Sequence, residues 1–141
     1  MTYGVNSGIR QYRQVGAQGA SYADPHQLVK MLMDGALDRL AQAKGAMQQG
    51  NVTEKGVLLS KAIQIVGGLQ SSLDERRGGD IAAHLAGLYD YMTRRLLHVN
   101  LHDDMDALDE VAQLMRELRN AWNEIPPEAR GLSPARQTNA G

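Results

Sequence analysis

The sequence predicts an all-α protein, an antiparallel four-helix bundle preceded by a mobile N-terminal arm. Three observations predict it. Four segments of roughly 20 to 26 residues carry apolar side chains at spacings of three and four. Capping residues, glycines and a proline pair punctuate those segments, leaving only short turns between them. No stretch alternates with period two for long enough to make a strand.

The first segment runs from about Asp24 to Gln49. Asp24 is a fitting N-cap, Pro25 sits at the first helical position where its missing N–H costs nothing, and Gln27 completes a capping box. Its stripe is Val29, Leu32, Met33, Ala36, Leu40, Ala43 and Met47, and Gly50 ends it. Asn51, with Glu54 after it, restarts the chain with the same cap chemistry. The second segment reaches about Leu73 with a stripe of Val52, Leu59, Ala62, Val66, Leu69 and Leu73. Gly67-Gly68 within it predicts close packing or a bend. Arg76-Arg77-Gly78-Gly79 is the clearest break. The third segment, Asp80 to Val99, carries Ile81, Leu85, Leu88, Met92, Leu96 and Val99. The fourth opens in Asp103, Asp104 and Asp106, carboxylates suited to the positive end of a helix dipole. It carries Leu108, Val111, Ala112, Met115, Leu118 and Trp122 and stops at Pro126-Pro127. The chain thus divides into a flexible arm at 1–22 that is also a candidate lid, a bundle at 23–126, and a disordered tail at 127–141.

Composition narrows the function. The chain has 141 residues, 43% of them apolar, a net charge of −1 and no cysteine. That size suits one domain with a real core. Thiolate chemistry, disulfides and cysteine metal sites are excluded, which suits a reducing cytosol. Arg76-Arg77 and Arg94-Arg95 are too few to suggest nucleic acid. No apolar run is long enough to span a bilayer, and the N-terminus has no secretory signal pattern.

Candidate chemistry fails on inspection. His98 and His102 have metal-binding spacing beside Asp103 and Asp104, but the chain is expected to turn there and no third ligand is evident. They read as solvated turn residues. Asp90 and Arg94 read as a surface ion pair. No Ser–His–Asp arrangement can be placed, and GGLQSS and RRGGD lack phosphate-loop context. The sequence therefore predicts no enzyme, no catalytic residue, no cofactor and no metal.

What remains is surplus apolar surface. At about 100° per residue, Leu58 and Ile65 lie on one flank of the second stripe, Ile63 on the other, and Val57 well outside it. Ala107, Leu114, Ala121 and Ile125 form a second row on the fourth segment. Tyr89 and Tyr91 fall on opposite flanks of the third stripe, with Leu97 and Leu101 further round. Large apolar patches mark interaction sites, and helical grooves accept amphipathic helices. Isolated exposed leucines are also ordinary, and the same rows would serve a homodimer. Ile9, Tyr12 and Val15 have roughly helical spacing, so the arm itself is a candidate cover.

Four stretches together resemble one family: DPHQLVKMLMDGAL (24–37), LSKAIQIVGGLQSSLD (59–74), GGDIAAHLAGLYDYMTRRLLHVN (78–100) and EVAQLMRELRNAW (110–122). They are similar to FliS, the flagellar secretion chaperone family, from Ile9 to about Pro126. The resemblance implies a non-catalytic cytoplasmic bundle. It implies that the disordered C-terminal region of flagellin wraps round it and forms helices in its grooves, which blocks premature polymerisation. It further implies delivery to the export gate protein of the flagellar type III apparatus, with the flagellar anti-sigma factor as a further partner. Ile9 and Tyr12 match an Ile–Tyr pair linked in the family to arm docking and gate recognition. Met33 departs from the aromatic residue of many relatives, which predicts a looser site there. The partner-binding set expected from both readings is Ile9, Tyr12, Leu58, Ile65, Tyr89, Tyr91, Leu97, Leu114 and Ile125. Arg94 and Arg95 are expected to stay solvated or to pair with acidic neighbours.

Overall fold

The computed structural model describes residues 24–125. The expected arm with Ile9 and Tyr12, and the tail at 127–141, lie outside the described residues. Within them the chain forms four helices: α1 (Pro25–Gln48), α2 (Val52–Ser71), α3 (Glu75–His102) and α4 (Met105–Glu124).

Each helix begins and ends where local chemistry dictates. The Asp24 carboxylate accepts the Gln27 N–H at 2.8 Å, and Pro25 follows as the first helical residue. At the other end of α1, Gly50 takes a positive φ of 70°. Its N–H donates to Met47 O at 3.1 Å and the Asn51 N–H to Ala46 O at 2.8 Å, a Schellman ending. The Asn51 side chain then accepts from the Glu54 N–H at 3.2 Å. One residue thus closes α1 and opens α2, which keeps the turn short and forces the two helices antiparallel.

The third helix differs from expectation at both ends. It starts at Glu75 rather than Asp80, with non-helical dihedrals at Gly79 (φ 58°, ψ −134°). A side chain resists that conformation, so the glycine permits a kink between a short first turn and the long body of α3. The helix also continues through His102. His98 and His102 are therefore helical, their ring centroids 4.7 Å apart, and only Asp103 turns, with a positive φ of 52°. Asp104 caps α4 by accepting the Ala107 N–H at 3.0 Å.

Cross-links set the register. Asp34 pairs with Arg119, and Lys44 with Asp109, so α1 and α4 run antiparallel. The Lys55 ammonium donates to Asn100 O and the Gln70 amide to Ala86 O, so α2 and α3 do too. The helices close a ring in which α1 meets α2 and α4, and α3 meets the same two. Their stripes fill it: Leu32, Met33, Leu40, Leu59, Leu69, Met92, Leu96, Leu108 and Met115 are almost wholly buried.

Two stripe residues stay outside. Val52 is 69% and Ile81 73% exposed. Both lie near a helix start, and periodicity reports the angle round a helix, not the depth along the bundle.

Candidate partner-binding surface

Flanks, rather than stripes, decide what surface is left over. On α2, Gln70 and Lys55 bond α3, so the Ile63 flank turns toward α3 and the opposite one toward α1. The α1–α2 pair packs most closely of the four. It absorbs Leu58 and Ile65, which are 4% and 8% exposed. On α3, the flank bearing Tyr89 turns toward Ala86 and Asn100, hence toward α2. Tyr89 is accordingly a core residue, and burial pushes its phenol pKa well up. In this protomer, then, Leu58, Ile65 and Tyr89 underlie the surface rather than form it.

Two apolar areas remain open, one on each flank of α3. The first lies outside the α2–α3 pair. Leu97 is 50% and Leu101 78% exposed, four residues apart on α3. Beside them a shallow groove of about 630 Å³ is lined by Val52, Gly56, Val57, Ser60 and Lys61 of α2 and by Asn100 of α3. Gly56 and Ser60 are one turn apart and small, which lowers the groove floor.

The second area is the seam between α3 and α4, the least closely packed pair of the ring. It has two halves of opposite character. In one half the Glu110 carboxylate accepts the Tyr91 hydroxyl at 2.6 Å and the Arg95 Nε–H at 2.9 Å. One turn further along α3, His98 Nε2–H donates to the Asp104 carboxylate at 2.9 Å. The Tyr91 hydrogen bond, then Arg95, hold the Glu110 pKa below the usual carboxylate range, and the same bond raises that of Tyr91. The Ala107 N–H, then His98, hold Asp104 down likewise. In the other half the facing residues are apolar. Leu85 and Leu88 of α3 and Leu114, Leu118 and Ile125 of α4 pack against the core yet are only partly buried, and Ala121 is exposed.

Of the residues expected to bind a partner, the structure thus gathers Tyr91, Leu114 and Ile125 along the seam. It sets Leu97 on the other flank of α3. Leu85, Leu88 and Leu118, expected in the core, do pack against it and are only partly buried along the seam. Reasoning from sequence missed the Glu110 cluster, for which the only signal was a glutamate one turn before Leu114. Arg94 pairs with Asp90 at 3.1 Å in an exposed ion pair, as expected. Among the described residues no group of three or more His, Asp or Glu side chains is placed to hold a metal ion. No helix among them is long and apolar enough to cross a membrane.

A sequence model of the family described as "Flagellar protein FliS" matches residues 8–129. The chain belongs to the FliS family. It is 48% identical over 125 residues to the flagellar secretion chaperone FliS of Salmonella typhimurium, covering 87% of this chain and 93% of that protein. It is 47% identical over 118 residues to the flagellar secretion chaperone FliSB of Pseudomonas aeruginosa, covering 83% and 94%. With FliS of Vibrio cholerae the identity is 42% over 132 residues, covering 93% and 97%. This FliS-family chain therefore matches its relatives over almost their whole length, and both apolar areas lie inside the matched region. As a member of a chaperone family it is not an enzyme.

Proposed function

We propose that this chain is a cytoplasmic export chaperone that holds the C-terminal segment of flagellin along both flanks of α3. One observation carries the reading: apolar surface stands open on two separated flanks of one helix. Covering Leu97 or Leu101 contributes about 1–2 kcal/mol each at roughly 25 cal/mol per Å². Ordering a flexible guest costs about 2–5 kcal/mol. A guest seated on one flank alone would barely recover that cost, so a bound segment should cover both. The α3–α4 seam centres near Leu85 and the other area near Leu97, roughly 18 Å apart along the helix at about 1.5 Å per residue. Two short amphipathic helices joined by a linker crossing α3 meet that spacing. Tyr91, Leu97, Leu114 and Ile125 make the contacts in this reading, with Leu58, Ile65 and Tyr89 supporting them from below. Sequestering the segment would block premature polymerisation.

Ile9 and Tyr12 extend the reading to delivery. Ile9→Ala with Tyr12→Ala should leave flagellin binding intact and weaken binding of the loaded complex to the export gate protein. The flagellar anti-sigma factor, as a second guest, should compete with flagellin for the same flanks.

The test is titration of the chain with a flagellin C-terminal peptide, followed by calorimetry and circular dichroism. One-to-one binding with a gain of helicity is expected. Leu97→Asp and Leu114→Asp should each weaken it on the order of tenfold or more. Unchanged affinity in both variants would overturn the assignment. A dimer that persists on dilution and ignores the peptide would instead favour self-association through the same surface.

A further inference from the structure

The two halves of the α3–α4 seam are unequal, and the inequality has a consequence for the apolar half. Tyr91 and Arg95 stand one helical turn apart on α3 and both donate to a single α4 carboxylate, one to each oxygen. That two-point attachment fixes α4 against α3 in both distance and rotation, as a single bond would not. His98 and Asp104 add a third link one turn further along. Beyond Tyr91 in the other direction, the helices face each other through partly buried leucines on the least closely packed pair of the ring. Apolar contacts are non-directional and do not set a spacing.

We infer that Glu110 is a positioning residue for the seam: gripped by Tyr91 and Arg95, it holds α3 and α4 at one end so that the leucine-lined half stays open at a fixed width. The inference rests on reading that half as a guest-binding groove. The clamp does not touch the guest. It pre-sets the groove, so that a guest helix meets a formed surface instead of having to part the helices or draw them together.

The experiment separates the clamp from that functional reading. The chain has no cysteine, so spin labels can be placed at His84→Cys on α3 and Glu117→Cys on α4, both exposed positions beside the apolar half. Electron–electron distance measurement should give a narrow distribution in the otherwise unaltered chain. In Glu110→Gln the single amide oxygen can accept from only one of Tyr91 and Arg95 while its NH2 faces the other donor, so the distribution should broaden part-way. Glu110→Ala should broaden it further. Affinity for the flagellin C-terminal peptide should follow the same order. Glu110→Ala should fall on the order of tenfold, and Glu110→Gln should stay within about threefold. A distribution as narrow in Glu110→Ala as in the unaltered chain would overturn the clamp. So would a distribution in Glu110→Gln as narrow as the unaltered chain's, since one of the two donors then lacks its acceptor. If the unaltered chain fails to bind the peptide, the flagellin reading falls, and the distances still decide the clamp.

Discussion

His26 and Trp122 stand 96 residues apart in sequence and exchange two hydrogen bonds. The His26 Nε2–H donates to Trp122 O at 2.8 Å, and the Trp122 indole N–H donates to His26 O at 3.0 Å. Their rings stack at 4.9 Å with an interplanar angle of 10°. The pair ties the first turn of α1 to the last turn of α4 and so closes the ring of helices. It also brings each carbonyl a second donor, since Trp122 O already accepts the Ile125 N–H at 3.2 Å and His26 O lies within the first turn of α1.

Trp122→Phe should therefore cost more than its small change in volume. It keeps most of the ring but removes the indole N–H that bonds His26 O, a net loss of about 0.5–1.5 kcal/mol because that helical carbonyl keeps its partner within α1. Trp122→Ala adds a cavity and should cost about 3–5 kcal/mol. Urea unfolding measures both. Equal stability of the phenylalanine variant and the parent would show that the paired bonds contribute nothing net.

Lys55 is a second tie, at the opposite end of the bundle. Its side chain is 6% exposed, while that of its partner Asp103, 2.5 Å away, is 69% exposed. Breaking a fully buried ion pair costs about 3–5 kcal/mol. Because Asp103 is largely solvated, about 1–2 kcal/mol is the expected loss for Asp103→Ala. Lys55→Met keeps the apolar stem and removes the charge that needs a partner, so it should cost less than Asp103→Ala. The reverse order in chemical denaturation would contradict this account.

The carboxylate pKa shifts predict the acid limb of stability. Glu110 and Asp104 both have folded pKa values below their ordinary range. Their contribution is thus complete above the unfolded values near 4 and is lost as pH falls through the lower folded ones. The groups facing them are Tyr91, Arg95 and His98. Melting temperature should be insensitive to these carboxylates between pH 7 and about pH 5 and should decline below about pH 4. Glu110→Gln should flatten that decline. Tyr91 works in the other direction: its raised pKa gives stability present below about pH 10 and lost as its phenol ionises above that.

Burial separates two substitutions that look alike in sequence. Ile65→Asp forces a charge among core side chains and should destabilise the bundle by more than about 3 kcal/mol. Leu97→Asp, at a half-exposed site, should change stability by under about 0.5 kcal/mol. Thermal melts of the two variants give the comparison. A stable Ile65→Asp variant would mean that the α1–α2 flank is more open than its packing shows.

The helices themselves were legible because their signals are local. Asp24, Asn51 and Asp104 announce helix starts through cap chemistry, Gly50 announces an end, and spacings of three and four show which side of each helix is apolar. The family likeness was legible for the same reason, since its motifs lie within single helices and their turns. Local signals are silent on how one helix turns its flanks toward another. Leu58 and Leu97 look equally surplus in a list of residues. The close fit of α1 on α2 buries the first, and among the described residues no neighbour lies beyond α3 to cover the second. Tyr89 sinks and Tyr91 stays near the surface because α2 lies on one side of α3 and the looser α4 on the other. The clamp at Glu110 and the ties His26–Trp122 and Lys55–Asp103 were likewise settled by tertiary structure. Each joins residues far apart along the chain, and the energy of such a bond depends on a distance that only the packed bundle sets.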